Sequence, residues 1–152
     1  MYNFEIDMSQ LKIAIINGPN LNLLGVRQPE IYGSQTFEQY YTSLQNKYPT
    51  IEFSYYQSNT EGDLVDYLQQ IGFEEVCIVL NAGGYTHTSV AIADAVAAIS
   101  AKVIEVHISQ PAAREEQRHI SLLSKYANGS ISGLGLFSYE AAIQYYKNNL
   151  ET

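Results

Sequence analysis

Arg and His are scarce in this chain, and their positions suggest chemistry. The three Arg are Arg27, Arg114 and Arg118; the three His are His87, His107 and His119. Each follows, or ends, a short apolar run of strand character. Arg27 lies in the loop Ile16 to Gly33, with the phenol of Tyr32 shortly after it. His87 lies in the loop Asn81 to Ser89, and His107 closes the run Lys102 to His107. In a protein of net charge −8, three Arg gathered at one edge make a local site for a small anion. A carboxylate suits them, because the guanidinium fork binds it with two parallel hydrogen bonds. A phenol near a fixed cation, an imidazole and several amides together offer acid–base chemistry.

Each of these residues also has a plainer reading. The Ile16 to Gly33 loop is either a catalytic lid or a well-packed Ω-loop with an ordinary surface Arg. His107 could be a buried His satisfied by backbone, and His87 the polar residue at a helix start. His119 reads as structural. Asp94 sits in an Ala-rich helix, where an acid must be paired or face solvent. Asn20, Asn22, Asn59 and Asn81 suit turns.

Several classes drop out. No Gly-x-Gly-x-x-Gly follows the first strand, no phosphate-loop pattern exists, and Gly133-x-Gly135 is weak. His and Cys spacing argues against zinc. The first and third strands end in Asn, where a receiver domain would need acids, and there is no nucleophile elbow. The acidic balance argues against nucleic acid.

These residues need a scaffold. Leu11 to Asn17, Ile51 to Gln57, Val76 to Leu80, Lys102 to His107 and Ser130 to Gly133 read as strands. Thr36 to Tyr48, Glu61 to Ile71, Val90 to Ala101, Arg114 to Tyr126 and Tyr139 to Leu150 read as helices. Gly72 stops the second helix, and Ser138 is an N-cap for the last. Val90 to Ala101 is apolar nearly all round, which predicts burial on more than one side. The alternation predicts a three-layer α/β fold: an open, parallel, five-stranded flavodoxin-like sheet of order 2-1-3-4-5. Its site should lie beyond the ends of strands one and three.

At 152 residues, with 46% hydrophobic and 16% charged content, the chain reads as one domain, 11–152. Residues 1–10 read as an N-terminal extension. The low charge suggests that some surface meets other copies of the chain. A lone Cys77 in an apolar run, no membrane-length stretch and no basic start predict a cytoplasmic protein.

Separated motifs then make the reading specific. They are Gly18-Pro-Asn-Leu-Asn, Leu24-Gly-Val-Arg and Ile31-Tyr-Gly; Gln57-Ser-Asn with Glu61-Gly; and Asn81 with Gly83 and Tyr85-Thr-His-Thr-Ser-Val-Ala. Asp94-Ala, Glu105-Val-His with Ser109, Arg114-Glu, Arg118-His and Ile131-Ser-Gly-Leu-Gly complete them. In this order they resemble type II 3-dehydroquinate dehydratase, over about Lys12 to Leu150. The resemblance implies that the chain removes water from 3-dehydroquinate in the shikimate pathway or in quinate breakdown.

The resemblance also implies roles. Tyr32 would be the base and Arg27 would keep it reactive. Asn20 would place the water that supports the enolate oxygen. His107 would protonate the departing hydroxyl. Asn81, His87, Ile108, Ser109 and Arg118 would bind substrate, and Asp94 would reach the site of a neighbouring subunit. Glu105 and Arg114 would support them. The family is a dodecamer, a tetramer of trimers, without cofactor or metal.

Elimination from a β-hydroxy ketone needs one base, one acid and an oxyanion site, and none of the five Lys lies in the motif loops. Gln28, Thr60, Ala93, Gln110, Gln117, Phe137 and Ser138 depart from the family pattern and bear on affinity, lid behaviour and subunit contacts. The competing reading is a silent ligand-binding or assembly paralogue of the same fold.

Overall fold

The computed structural model describes residues 10–26 and 28–150, with Tyr32 and Leu150 described in backbone alone. Nine residues of the expected extension, 1–9, lie outside the described residues; Gln10 donates from Nε2 to the Thr50 carbonyl at 3.2 Å.

Strand β1 (Lys12–Asn17) is buried at every position after Lys12. That is why it reads as a continuous apolar run rather than an alternating one. Its residues alternate between faces. Ile13 and Ile15 join one core with Phe37, Tyr40, Leu44, Tyr139 and Tyr146. Ala14 and Ile16 join the other with Leu64, Leu68, Ile92 and Val96. Each fully buried Ile or Leu adds roughly 1.5–3 kcal/mol.

After β1 come a one-turn helix α1 (Pro29–Tyr32) and α2 (Phe37–Lys47). Thr36 caps α2 in a capping box: its Oγ1 accepts from Gln39 N at 3.2 Å, while Gln39 Oε1 accepts from Thr36 N at 3.1 Å. Then follow β2 (Glu52–Gln57), α3 (Glu61–Ile71), β3 (Cys77–Asn81), α4 (Val90–Ala98), β4 (Lys102–His107), β5 (Gly129–Ser132) and α5 (Phe137–Leu150). The sheet is wholly parallel, in the order β2-β1-β3-β4-β5 that the alternation predicts.

Beyond shifts of one residue at the ends of β1, β2, β3, β5 and α2, four details differ from the sequence reading. Helix α4 ends at Ala98 because the Gly72 carbonyl accepts from Ser100 N (3.0 Å) and Ala101 N (2.8 Å), drawing the chain off into β4. Gly72 is needed for room: a Cβ there would lie 2.3 Å from Ile99 Cγ2, and its φ of −67° is ordinary. Within the chain α4 buries one face, through Ile92, Ala93, Ala95 and Val96, while Val90, Ala91, Asp94, Ala97 and Ala98 are exposed. The expected burial on more than one side is therefore not met by one chain.

The expected helix Arg114 to Tyr126 is instead irregular chain with one 3₁₀ turn, Glu116–Arg118, after another at Pro111–Ala113 in the preceding loop. Ser121 and Ser124 donate their hydroxyls to Glu105, and Ser121 Oγ also accepts from the amides of Leu123 and Ser124. Such side-chain bonds compete with the helical ladder. Ser138 lies inside α5, where its Oγ accepts from Leu134 N at 3.2 Å, so it does not cap the helix from outside.

Candidate active site

Strands β1 and β3 are neighbours, and their last residues, Asn17 and Asn81, are register partners. The chain leaves them in opposite directions across the sheet, which opens a crevice at the switch point. Gly18 lets the two following loops touch: a Cβ there would sit 2.4 Å from the Ala82 carbonyl oxygen. The Gly18 amide donates to the Asn81 carbonyl at 2.7 Å.

Eight of the residues singled out by sequence meet in this crevice. Asn20 comes from the first loop, Asn81 from the end of β3 and His87 from the turn that follows. His107, Ile108 and Ser109 come from the end of β4, with Arg114 and Arg118 beyond. Asn20 adopts a left-handed backbone, φ 68°, and its amide donates to Asn59 Oδ1 at 2.9 Å. Gln57 Nε2 reaches both Asn59 Oδ1 and the Gly18 carbonyl, each at 3.2 Å, so the end of β2 holds the loop of β1.

Glu105 lies behind His107 rather than in the crevice, and is 1% exposed. His107 Nε2 stands 2.6 Å from Glu105 Oε1. Burial pushes the Glu105 carboxyl upward, but the hydrogen bonds from His107, Ser124 and Ser121 outweigh it and hold the group below the ordinary value. Glu105 is thus a carboxylate that only accepts, His107 Nε2 carries a proton, and the ring's other nitrogen is left for chemistry. His87 stacks near it, with ring centroids 6.2 Å apart. His87 Nδ1 lies 2.7 Å from the Ile120 carbonyl, which can only accept, so Nδ1 bears the proton there too. His119 Nε2 meets the Arg114 carbonyl at 2.9 Å, in keeping with a structural role.

At the mouth, Arg118 Nε donates to Glu115 Oε1 at 2.5 Å, and Arg114 Nη1 reaches Ser109 Oγ at 3.4 Å. The hydrogen bond from Arg118 holds the Glu115 carboxyl below its usual range. Asp94 is exposed on α4 and does not line the crevice. Tyr32 belongs to α1, whose backbone follows the crevice loop; Arg27 lies outside the described residues. Among the described residues, no group of three or more His, Cys, Asp or Glu could hold a metal ion. Of the departing residues, Gln110 accepts from Ser132 Oγ at 2.8 Å, tying the end of β4 to β5.

Sequence reasoning gave no site role to the apolar wall of Leu21, Leu23, Leu24 and Pro111, or to the buried floor. Tyr139, 0% exposed, sits beneath Asn17 and Asn81 and bonds to both. The only signal was the pair of Asn at the ends of neighbouring strands. Burial pushes the Tyr139 phenol far above its ordinary pKa, so it is not a base.

The family model for class II dehydroquinases matches residues 11–147. A 3-dehydroquinate dehydratase of Bacillus licheniformis is 49% identical over 139 residues, covering 90% of this chain and 95% of its own. 3-Dehydroquinate dehydratase 1 of Agrobacterium fabrum is 47% identical, covering 90% and 95%. The crystal structure of the type II dehydroquinase of Butyrivibrio crossotus superposes with a TM-score of 0.86 at 47% identity, covering 91% of this chain and 99% of that one. That of Propionibacterium acnes gives 0.88 at 37%, covering 93% and 99%.

Proposed function

The chain belongs to the class II dehydroquinase family, and from that premise we propose how it removes water from 3-dehydroquinate to give 3-dehydroshikimate. The enzyme is a hydro-lyase. Tyr32, as phenolate, takes the proton beside the substrate ketone, and the electron pair moves to the ketone oxygen as an enolate. Arg27 favours the phenolate and offsets charge as it develops. Asn20 places a water on the enolate oxygen. The enolate collapses, the carbon–oxygen bond to the β-hydroxyl breaks, and His107 gives it a proton so that it leaves as water. Tyr32 is then neutral and His107 has lost one proton, so a proton passing between them resets the pair.

The observation that carries this reading is His107 at the crevice, backed by a buried carboxylate. An acid must hold a proton on the nitrogen that faces substrate, and Glu105 beside the ring compensates that charge. Asn81, His87, Ile108, Ser109 and Arg118 bind the ring and carboxylate, with Arg114 supporting them. No step needs a metal or cofactor.

The reading includes one catalytic domain over 11–152, a cytoplasmic location and a homododecamer built as a tetramer of trimers. The exposed, nearly apolar face of α4 supports assembly, and Asp94 on that face would act in a neighbour's site. Light scattering should give a mass twelve times that of the chain. No helix among the described residues is long and apolar enough to cross a membrane.

Mixing the protein with 3-dehydroquinate tests the reading. The ultraviolet absorbance of the conjugated enone should rise. Binding of substrate with no rise would instead favour the silent paralogue.

A further inference from the structure

The crevice floor is a chain of neutral hydrogen bonds, and one backbone amide sets its direction. Gly83 N–H, which can only donate, gives its hydrogen to Asn81 Oδ1 at 3.1 Å. The Asn81 oxygen therefore faces Gly83, and Nδ2 must face Tyr139, whose hydroxyl lies 2.8 Å away. An amide nitrogen only donates, so the Tyr139 oxygen accepts here. Its own hydrogen is left to go to Asn17 Oδ1, at 2.7 Å. Asn17 Nδ2 is thereby turned toward the Tyr55 hydroxyl, at 3.4 Å. Asn17 and Tyr139 are 0% exposed and Asn81 is 4% exposed, so water does not compete for these bonds. Asn81 alone of the three lines the crevice, and its Nδ2 carries a second N–H beyond the one given to Tyr139.

We infer that Tyr139 is a positioning residue for substrate binding: its hydroxyl accepts from Asn81 Nδ2 and, with the Gly83 amide on the oxygen side, holds the Asn81 amide so that its second N–H is presented to substrate in the crevice. Tyr139 touches no substrate and takes no part in proton transfer. The inference rests on the substrate-binding role proposed for Asn81.

Steady-state kinetics on 3-dehydroquinate with wild type, Tyr139→Phe, Asn81→Ala and the double variant test it. Phe keeps the ring contacts that Tyr139 makes with Phe37 and Tyr40, at 5.0 and 6.1 Å. Tyr139→Phe should raise KM about tenfold, the worth of one hydrogen bond, with kcat held within about twofold. In the Asn81→Ala background the same change should alter KM by less than about twofold, because the residue it acts through is gone. An equal factor in both backgrounds, or an unchanged KM in the first, overturns the inference. Asn17→Leu, which removes the acceptor and keeps Tyr139, should raise KM with the same dependence on Asn81; it keeps the test open if Tyr139→Phe does not fold. A wild-type chain without turnover would strike the proposed function, not this inference.

Discussion

At the floor of the crevice, Asn17, Asn81 and Tyr139 are neutral, buried and bonded to one another. At its mouth, Arg114, Glu115 and Arg118 are charged, with side chains 16%, 53% and 25% exposed. Floor bonds are short and directional, and salt does not screen them. Mouth charges act over a longer range but weaken in water and salt. In the proposed reading the floor fixes where a substrate sits, while the mouth selects its charge. His107 and Glu105 stand between these regimes: a charge as deeply buried as the floor, at the residue proposed as the acid.

That contrast is open to experiment. The largest effect should come from His107→Gln, which removes the acid and leaves floor and mouth in place. Steady-state kinetics should show kcat reduced about 10²–10⁴-fold with KM little changed. A change in KM alone would move His107 into the floor.

Glu105→Gln should cost less, about 10–100-fold in kcat, the worth of a hydrogen bond to a charged group. It should also alter acid stability. The folded carboxyl titrates below its ordinary value of 4.5, so its stabilisation is present above that pH and is lost as pH falls through the lower, folded value. Denaturant midpoints measured downward from neutrality should converge for wild type and Glu105→Gln below about pH 4.5. A gap that stays constant to the most acid point would contradict this.

Glu115→Gln should matter least. Gln still accepts from Arg118, and the change removes a negative charge from the mouth of a site for an anion. KM should fall by no more than about twofold at low salt, and the difference should vanish at high salt. A tenfold rise that persists in salt would place Glu115 with the floor.

The same contrast decides what the sequence reveals. Glu61–Ile71 and Lys102–His107 fold over the bounds that their apolar spacing predicts. The sheet order follows, and with it the meeting of Asn20, Asn81, His87, His107, Ile108, Ser109, Arg114 and Arg118 in one crevice. Arg and His stand out because they are rare. Tyr139 does not: it is one of thirteen Tyr and lies 122 residues from Asn17, so only the folded sheet joins them. Local spacing fails where distant partners win. The Ser121 and Ser124 hydroxyls go to Glu105 and dissolve a helix, and the Gly72 carbonyl ends α4 early.

The central claim is that this crevice eliminates water with a phenolate base, and turnover by Tyr32→Phe tests it most directly. The change removes one oxygen and keeps the aromatic ring. The account predicts that kcat for 3-dehydroquinate falls about 10²–10⁴-fold while KM stays within about threefold. Turnover at the wild-type rate would contradict it: Tyr32 would not be the base, and proton abstraction would pass to His107 or His87.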